Sequence, residues 1–322
     1  MAMRCSYDGT LPAAAAKPRR PSLRRRLSAN ARAWPLRLAA LVLLAAVPAA
    51  VPADAGSNRP IAAKMLAGLS QEELQARWQE GKAAVEQGDI ATAMAFWLPL
   101  AELGLANAQA DIGYIYLAGL AGKPDLVRAE KWLKAAADRG ILEAQYNLGT
   151  LLEARVIRGA AQQAAQLYRR AAERGHTEAQ LQLADMLADG RGTAANDVEA
   201  AAWYTRAAEL GNAVAQARLG TVYLHGRGVP QDYEAAASWL QRAASRGEAS
   251  AQGQLGALYM SGRGVPQDYV AAHQWFNLSA ANARDNDLRQ RSAAHRDLAA
   301  ARMSPDAVAE AQRRARDWKS KT

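Results

Sequence analysis

Few side chains in this 322-residue chain are suited to chemistry, and their spacing is more telling than their number. The four histidines stand at His176, His225, His273 and His295, with no H-x-H and no i, i+4 pair among them. A zinc site draws several nitrogen, sulfur or carboxylate ligands to one point, and such short-range pairs are its usual trace in a sequence. No metal is expected, and the histidines read as surface or helix-end residues. Cys5 is the sole cysteine, so thiolate metal sites, disulfides and a thiol nucleophile are not expected in the body of the chain. No G-x-S-x-G elbow, Walker loop or strand-flanked glycine fingerprint appears, and no catalytic residue or cofactor is assigned.

Two sets of polar residues remain, and both recur at a fixed spacing. Arg191, Arg227 and Arg263 are separated by 36 residues and share one register at GRG loops. They would either line an edge that holds anions or pair locally with Asp197, Asp232 and Asp268, a cheap arrangement at a surface. The second set follows a recurring glutamine by two and five residues. It comprises Asp111 and Tyr114, Asn147 and Thr150, Gln182 and Asp185, Arg218 and Thr221, and Gln254 and Ala257. Neighbouring slots stay apolar or small from copy to copy, whereas these change in chemistry. Positions fixed by packing should look alike, and positions that face a specific partner are free to differ. They are therefore the candidate partner-binding residues.

The elements that position them come from an internal repeat. The Ala-Gln step falls at Gln109, Gln145, Gln180, Gln216 and Gln252, at intervals of 36, 35, 36 and 36. A large apolar position runs Trp132, Leu167, Trp203, Trp239, Trp275, and a closing glycine runs Gly104, Gly140, Gly175, Gly211, Gly247. A fixed period of this size marks a solenoid, whose units cover their apolar faces only by stacking. Within one copy, Asn212 caps a helix carrying Ala215, Leu219, Val222 and Tyr223, an apolar face of period near 3.6. HGRGVPQD breaks it, Asp232 caps a second helix with Trp239 and Leu240 facing the first, and Gly247 ends the unit. The fold class is all-α, a solenoid of antiparallel helix pairs.

Gly113, Gly149, Gly220 and Gly256 share one slot inside the first helices, with Ala184 in the remaining copy. A helix-interior glycine costs about 1 kcal/mol relative to alanine, so close approach of the partner helix is expected there, with the ring of its Trp as the approaching group. The Trp ladder itself reads as core packing. Ser70 and Glu73 form a capping box for a shorter helix pair over 70–104 that covers the entrance of the array. The five copies follow at 105–140, 141–175, 176–211, 212–247 and 248–283, and Ser304 with Pro305 opens a final helix in capping helices over 284–322.

The formal charge of +9 is uneven. Residues 1–55 hold nine Arg and Lys against Asp8 and Asp54, and the last 39 residues add +4, so the remainder is about −2. The array lacks the basic stripe that nucleic acid requires, and no nucleic-acid partner is expected. The leader places Arg24, Arg25, Arg26, Arg32 and Arg37 ahead of LAALVLLAAV and a small-residue A-x-A step at Ala53 and Ala55. Ten apolar residues suit a signal peptide better than a span of roughly 20. Residues 1–55 are thus read as a signal peptide or an uncleaved inner-membrane anchor, followed by a loose tail over 56–69. The expected location is the periplasm or cell envelope, with membrane contact only through an uncleaved leader, or the cytoplasm if the true start lies downstream.

AQARLGTVYLHGRGVPQDYEAAASWLQRAASRG, AQGQLGALYMSGRGVPQDYVAAHQWFNLSAANA and AQLQLADMLADGRGTAANDVEAAAWYTRAAELG resemble Sel1-like repeats, relatives of the tetratricopeptide repeat with a longer loop. The first two copies depart from the pattern, with AGLAGKPD in place of the GRGV turn and no Gly-Val turn between Leu152 and Ala161. The resemblance implies a right-handed superhelix whose first helices line a concave groove that binds proteins or peptides. A non-enzymatic, monomeric scaffold of the cell envelope is the expected function. The competing expectation is an envelope enzyme or ligand binder acting on peptidoglycan or β-lactam-like substrates.

Overall fold

A computed structural model describes residues 68–320, except 156 and 158. The leader and most of the 56–69 tail lie outside the described residues. Among those described, the chain is helical throughout, in pairs: α1 (Gln71–Glu86) with α2 (Ile90–Glu102), α3 (Ala106–Ala118) with α4 (Leu126–Asp138), α5 (Leu142–Ala154) with α6 (Ala160–Glu173), α7 (Thr177–Asp189) with α8 (Asp197–Glu209), α9 (Ala213–His225) with α10 (Tyr233–Ser245), and α11 (Ala249–Ser261) with α12 (Tyr269–Asn282). The exit is closed by α13 (Asn286–Ala300) and α14 (Pro305–Asp317). Each helix from α1 to α12 packs on the next in sequence, and α14 passes over α13 to fold back onto α12.

The helix ends form where the capping residues stand. Ser70 accepts from the Glu73 amide at 3.2 Å while Glu73 accepts from the Ser70 amide at 2.7 Å. Asp125, Asn196, Asp232 and Asp268 cap the second helices through side-chain oxygens. Ser304 caps α14 with Pro305 at its first position, where the missing amide hydrogen is no loss.

The repeated glutamine is a second cap. Its Nε2 donates to the carbonyl oxygen eight residues earlier, at Ala101, Ala137, Ala172, Ala208 and Ala244, over 3.0–3.2 Å. Each of these carbonyls also accepts from the glycine amide three residues on, and each first helix adds a second, buried donor to the end of the second helix before it. This is why glutamine persists while its neighbours two and five residues on vary.

The glycine slot of the first helices is a close approach, with one correction. A Cβ on Gly113 would lie 2.8 Å from Leu133, on Gly220 2.6 Å from Leu240, on Gly149 2.8 Å from Tyr168 and on Gly256 3.0 Å from Phe276. The residue after the Trp position fills the gap, and not the Trp ring itself. Trp132, Trp203 and Trp275 are buried and Trp239 half-buried. Lys131, Arg206 and Arg242 lie over the rings of Trp132, Trp203 and Trp239 at 4.7, 4.4 and 4.5 Å. The Trp ladder thus packs in the core as expected, and Trp132, Trp203 and Trp239 each also meet a cation on one face.

The second glycine of each GRG loop serves the stacking of copies. Gly228 has φ +74°, and a Cβ there would stand 2.2 Å from the backbone oxygen of Asp197 in the preceding copy. Gly192 and Gly264 meet Ala161 and Tyr233 in the same way.

Candidate functional site

The slots two and five residues after the glutamine lie on the first-helix layer, and the structure sorts them by copy. Tyr114, Asn147 and Thr150 are buried, at 6%, 5% and 2% exposure. Burial pushes the Tyr114 phenol up to about 12. Thr150 donates to Tyr146 O at 3.1 Å and lies 3.2 Å from the Tyr168 hydroxyl. Asp111, Gln182, Asp185, Thr221 and Gln254 are half-buried, and Arg218 is exposed. The layer is therefore open to a partner mainly over α7, α9 and α11.

These residues also meet one another. Asp185 accepts from the Tyr204 hydroxyl at 2.6 Å and forms an ion pair with Arg218 Nε at 3.3 Å. Thr221 Oγ1 stands 2.9 Å from Gln254 Oε1. At the entrance, Asp111 accepts from Trp78 Nε1 at 2.6 Å. In all three contacts the position five after the glutamine register of one copy bonds the position two after it in the next. Trp78 holds that register in the entrance pair and was not among the residues the sequence pointed to. The signal that could have found it is the 33-residue separation common to all three contacts.

Electrostatics distinguish the two ends of this ladder. Asp185 raises the Arg218 guanidinium above its usual value, against the effect of burial. Burial and then the Asp185 charge push the Tyr204 phenol well above the usual range. Both groups keep their protons at any physiological pH, so the Tyr204–Asp185–Arg218 cluster is a fixed arrangement with the Arg218 side chain 51% exposed. Asp111 is different. Burial raises its carboxyl to about 7, against the lowering effects of the Trp78 hydrogen bond and Lys82.

The arginine register reaches chiefly into the preceding copy: of the aspartates the sequence suggested only Asp197 is used, by Arg227 of the next copy, and the one local pair is Arg191 with Asp189. Arg191 bonds Glu153, which is 3% exposed, and reaches Asp189 at 3.0 Å. Arg227 meets Asp197 at 2.8 Å, and Arg263 lies 5.5 Å over the Tyr233 ring. Asp232 and Asp268 face their own helices as caps. These contacts fasten copies together.

Two histidines also differ from a surface reading. His273 is buried at 3% exposure, in the slot that holds Ala165, Ala201 and Ala237 in other copies, because α13 covers this part of α12. His176 is a helix-end residue as expected, accepting from the Ala179 amide at 3.2 Å, but it is also stacked on Tyr146 at 4.9 Å. Burial lowers the pKa of both. Among the described residues, no cluster of three or more His, Cys, Asp or Glu side chains could hold a metal ion.

A layered stack of antiparallel helix pairs, tied by recurrent caps and inter-copy contacts and presenting one polar helix layer, defines an α-solenoid repeat protein. The chain belongs to the Sel1 repeat family: the Sel1 repeat model matches residues 106–141, 142–176, 177–212, 213–248 and 249–283. Among solved structures it is similar to a Sel1 repeat protein from Oxalobacter formigenes, with 31% identity, a TM-score of 0.58, and coverage of 65% of this chain and 86% of that one. It is also similar to c5321, a protective antigen of uropathogenic Escherichia coli strains with an SLR fold, at 26% identity and TM-score 0.52, covering 81% of this chain and 63% of that one. No curated protein matches the chain. Sel1 repeats are generally protein-interaction scaffolds.

Proposed function

We propose that this protein is a non-enzymatic adaptor of the cell envelope that grips a protein or peptide along the first-helix layer of its third to fifth copies. The observation that carries this reading is the Tyr204–Asp185–Arg218 cluster, continued by Thr221 and Gln254. It supplies fixed donors and acceptors on a rigid scaffold, so little side-chain entropy is lost when a partner docks. Tyr114, Asn147 and Thr150 are buried within the first two copies and support their packing. Asp111 joins the array to its entrance pair. The envelope location follows from the basic and apolar leader with its small-residue step.

The test exchanges Asp185→Arg with Arg218→Asp in the tagged full-length chain, which keeps an ion pair but inverts what a partner meets. Capture of a specific envelope protein by the wild type should be lost in the exchanged variant while helicity is unchanged. Equal capture by both would place the partner elsewhere on the molecule. Residues 1–60 fused to a reporter active only outside the cytoplasm should give signal, and a silent fusion would make the protein a cytoplasmic adaptor.

A further inference from the structure

The two ends of the solenoid carry opposite charge. The entrance pair, residues 70–104, holds Glu72, Glu73, Glu80, Glu86, Asp89 and Glu102 against Arg77 and Lys82. The exit helices over 284–320 hold nine Arg and Lys against six acids. The five copies between them carry 17 charges of each sign, so the asymmetry lies at the ends and not along the body.

The terminal helices of the first-helix layer show what these ends present. The face of α1 away from its buried Gly81, Ala84 and Val85 exposes Glu72, Ala76, Gln79, Ala83 and Glu86. Neither Glu72 nor Glu86 has an ion-pair partner among the described residues. At the other end, α13 packs on α12 and α11, continuing the first-helix layer. Its uncovered face exposes Asp287, Arg291, Ala294 and Leu298, the last at 51% exposure, with Arg302 just beyond the helix end, so two arginines outweigh one aspartate there. Arg291 is held by Asp287 at 3.1 Å with both side chains more than half exposed, a pair of little energy.

We infer that this protein associates with a second copy of itself head to tail, α13 of one molecule meeting α1 of the next. An acidic helix face with alanines at its centre fits a face of arginines around alanine and leucine. Charges match, and small residues permit the close approach that helix packing needs. The contact continues the first-helix layer where each chain's own layer stops. Because the two surfaces differ, the contact is heterologous and each added copy leaves a new end open. The groove over α7, α9 and α11 stays accessible in such a chain of copies, so the inference stands apart from the groove reading. The monomer expected from sequence is the state at low concentration or high salt.

The experiment is sedimentation velocity on the purified full-length protein over a concentration series, with two charge-reversed variants: Glu72→Lys with Glu86→Lys, and Arg291→Glu with Arg302→Glu. Helicity by circular dichroism checks that both fold. The wild type should self-associate, about tenfold more weakly at about 500 mM than at roughly 50 mM salt, because screening removes attraction between exposed charges. Each variant alone should remain monomeric, and an equimolar mixture of the two should associate again, since the reversed ends are complementary. A wild type that is monomeric throughout, association that survives either reversal, or a mixture that stays monomeric would each overturn the inference. Persistence in the Arg291→Glu, Arg302→Glu variant alone would point to the basic leader as the group that meets the acidic end.

Discussion

Replacing Asp111 by Asn should stabilise the entrance of the array at alkaline pH and leave it unchanged in acid. Burial holds this carboxyl at about 7 in the folded protein, against an ordinary value of 3.8. Well below pH 3.8 the group is neutral in both folded and unfolded chains. As pH rises from 4 to 7 the unfolded chain loses its proton first, so stability falls through this window and levels off once the folded group has ionised. The full displacement corresponds to roughly 4 kcal/mol, at about 1.4 kcal/mol per tenfold change. Partial exposure and relaxation around Lys82 and Trp78 reduce the expected gain to about 2 kcal/mol. Asn keeps an oxygen to accept from Trp78 Nε1 at the 2.6 Å contact but carries no charge. The assay is urea unfolding of wild type and Asp111→Asn from pH 4.5 to 8, followed by tryptophan fluorescence, which sees Trp78, and by circular dichroism. The difference should be smallest at the acid end and widen up to about pH 7, the variant being the more stable. A difference that is constant with pH, or a wild type that gains on the variant as pH rises, would refute the burial argument.

Gly220→Leu should unfold the α9–α10 pair or cost about 3 kcal/mol by overpacking, because even a Cβ would lie 2.6 Å from Leu240; thermal melting checks it, and an unchanged midpoint would remove the close-approach assignment. Arg191→Ala should cost about 3 kcal/mol by removing a cationic partner from the buried Glu153 carboxylate, since Glu153 is 3% exposed. Adding Glu153→Gln should recover most of that loss in denaturant unfolding, and no recovery would show that the arginine acts through packing alone.

The repeat length, the pairing of helices, the caps at Ser70, Asp232 and Ser304 and the family were all legible in the chain, because each rests on local signals. A capping oxygen acts within three residues, and a packing register repeats every copy. The Gln ladder was visible as a constant but not as a cap, since its acceptor lies in the preceding helix pair. Reading Leu133, Tyr168, Leu240 and Phe276 as the groups against the helix glycines needed the rotation of each second helix, which a one-residue shift in register changes by about 100°.

Sequence alone determined that this protein is a stack of helix pairs, because a 36-residue alternation of apolar faces and breakers has no other way to bury itself. It also marked which first-helix positions vary. Only the tertiary structure decided that Tyr114, Asn147 and Thr150 are interior whereas Arg218 is exposed, and that the varying residues meet in pairs across copies. That outcome depends on how closely successive copies approach, and the spacing between copies is fixed by side chains some 30 residues apart in the chain, such as Arg227 on Asp197.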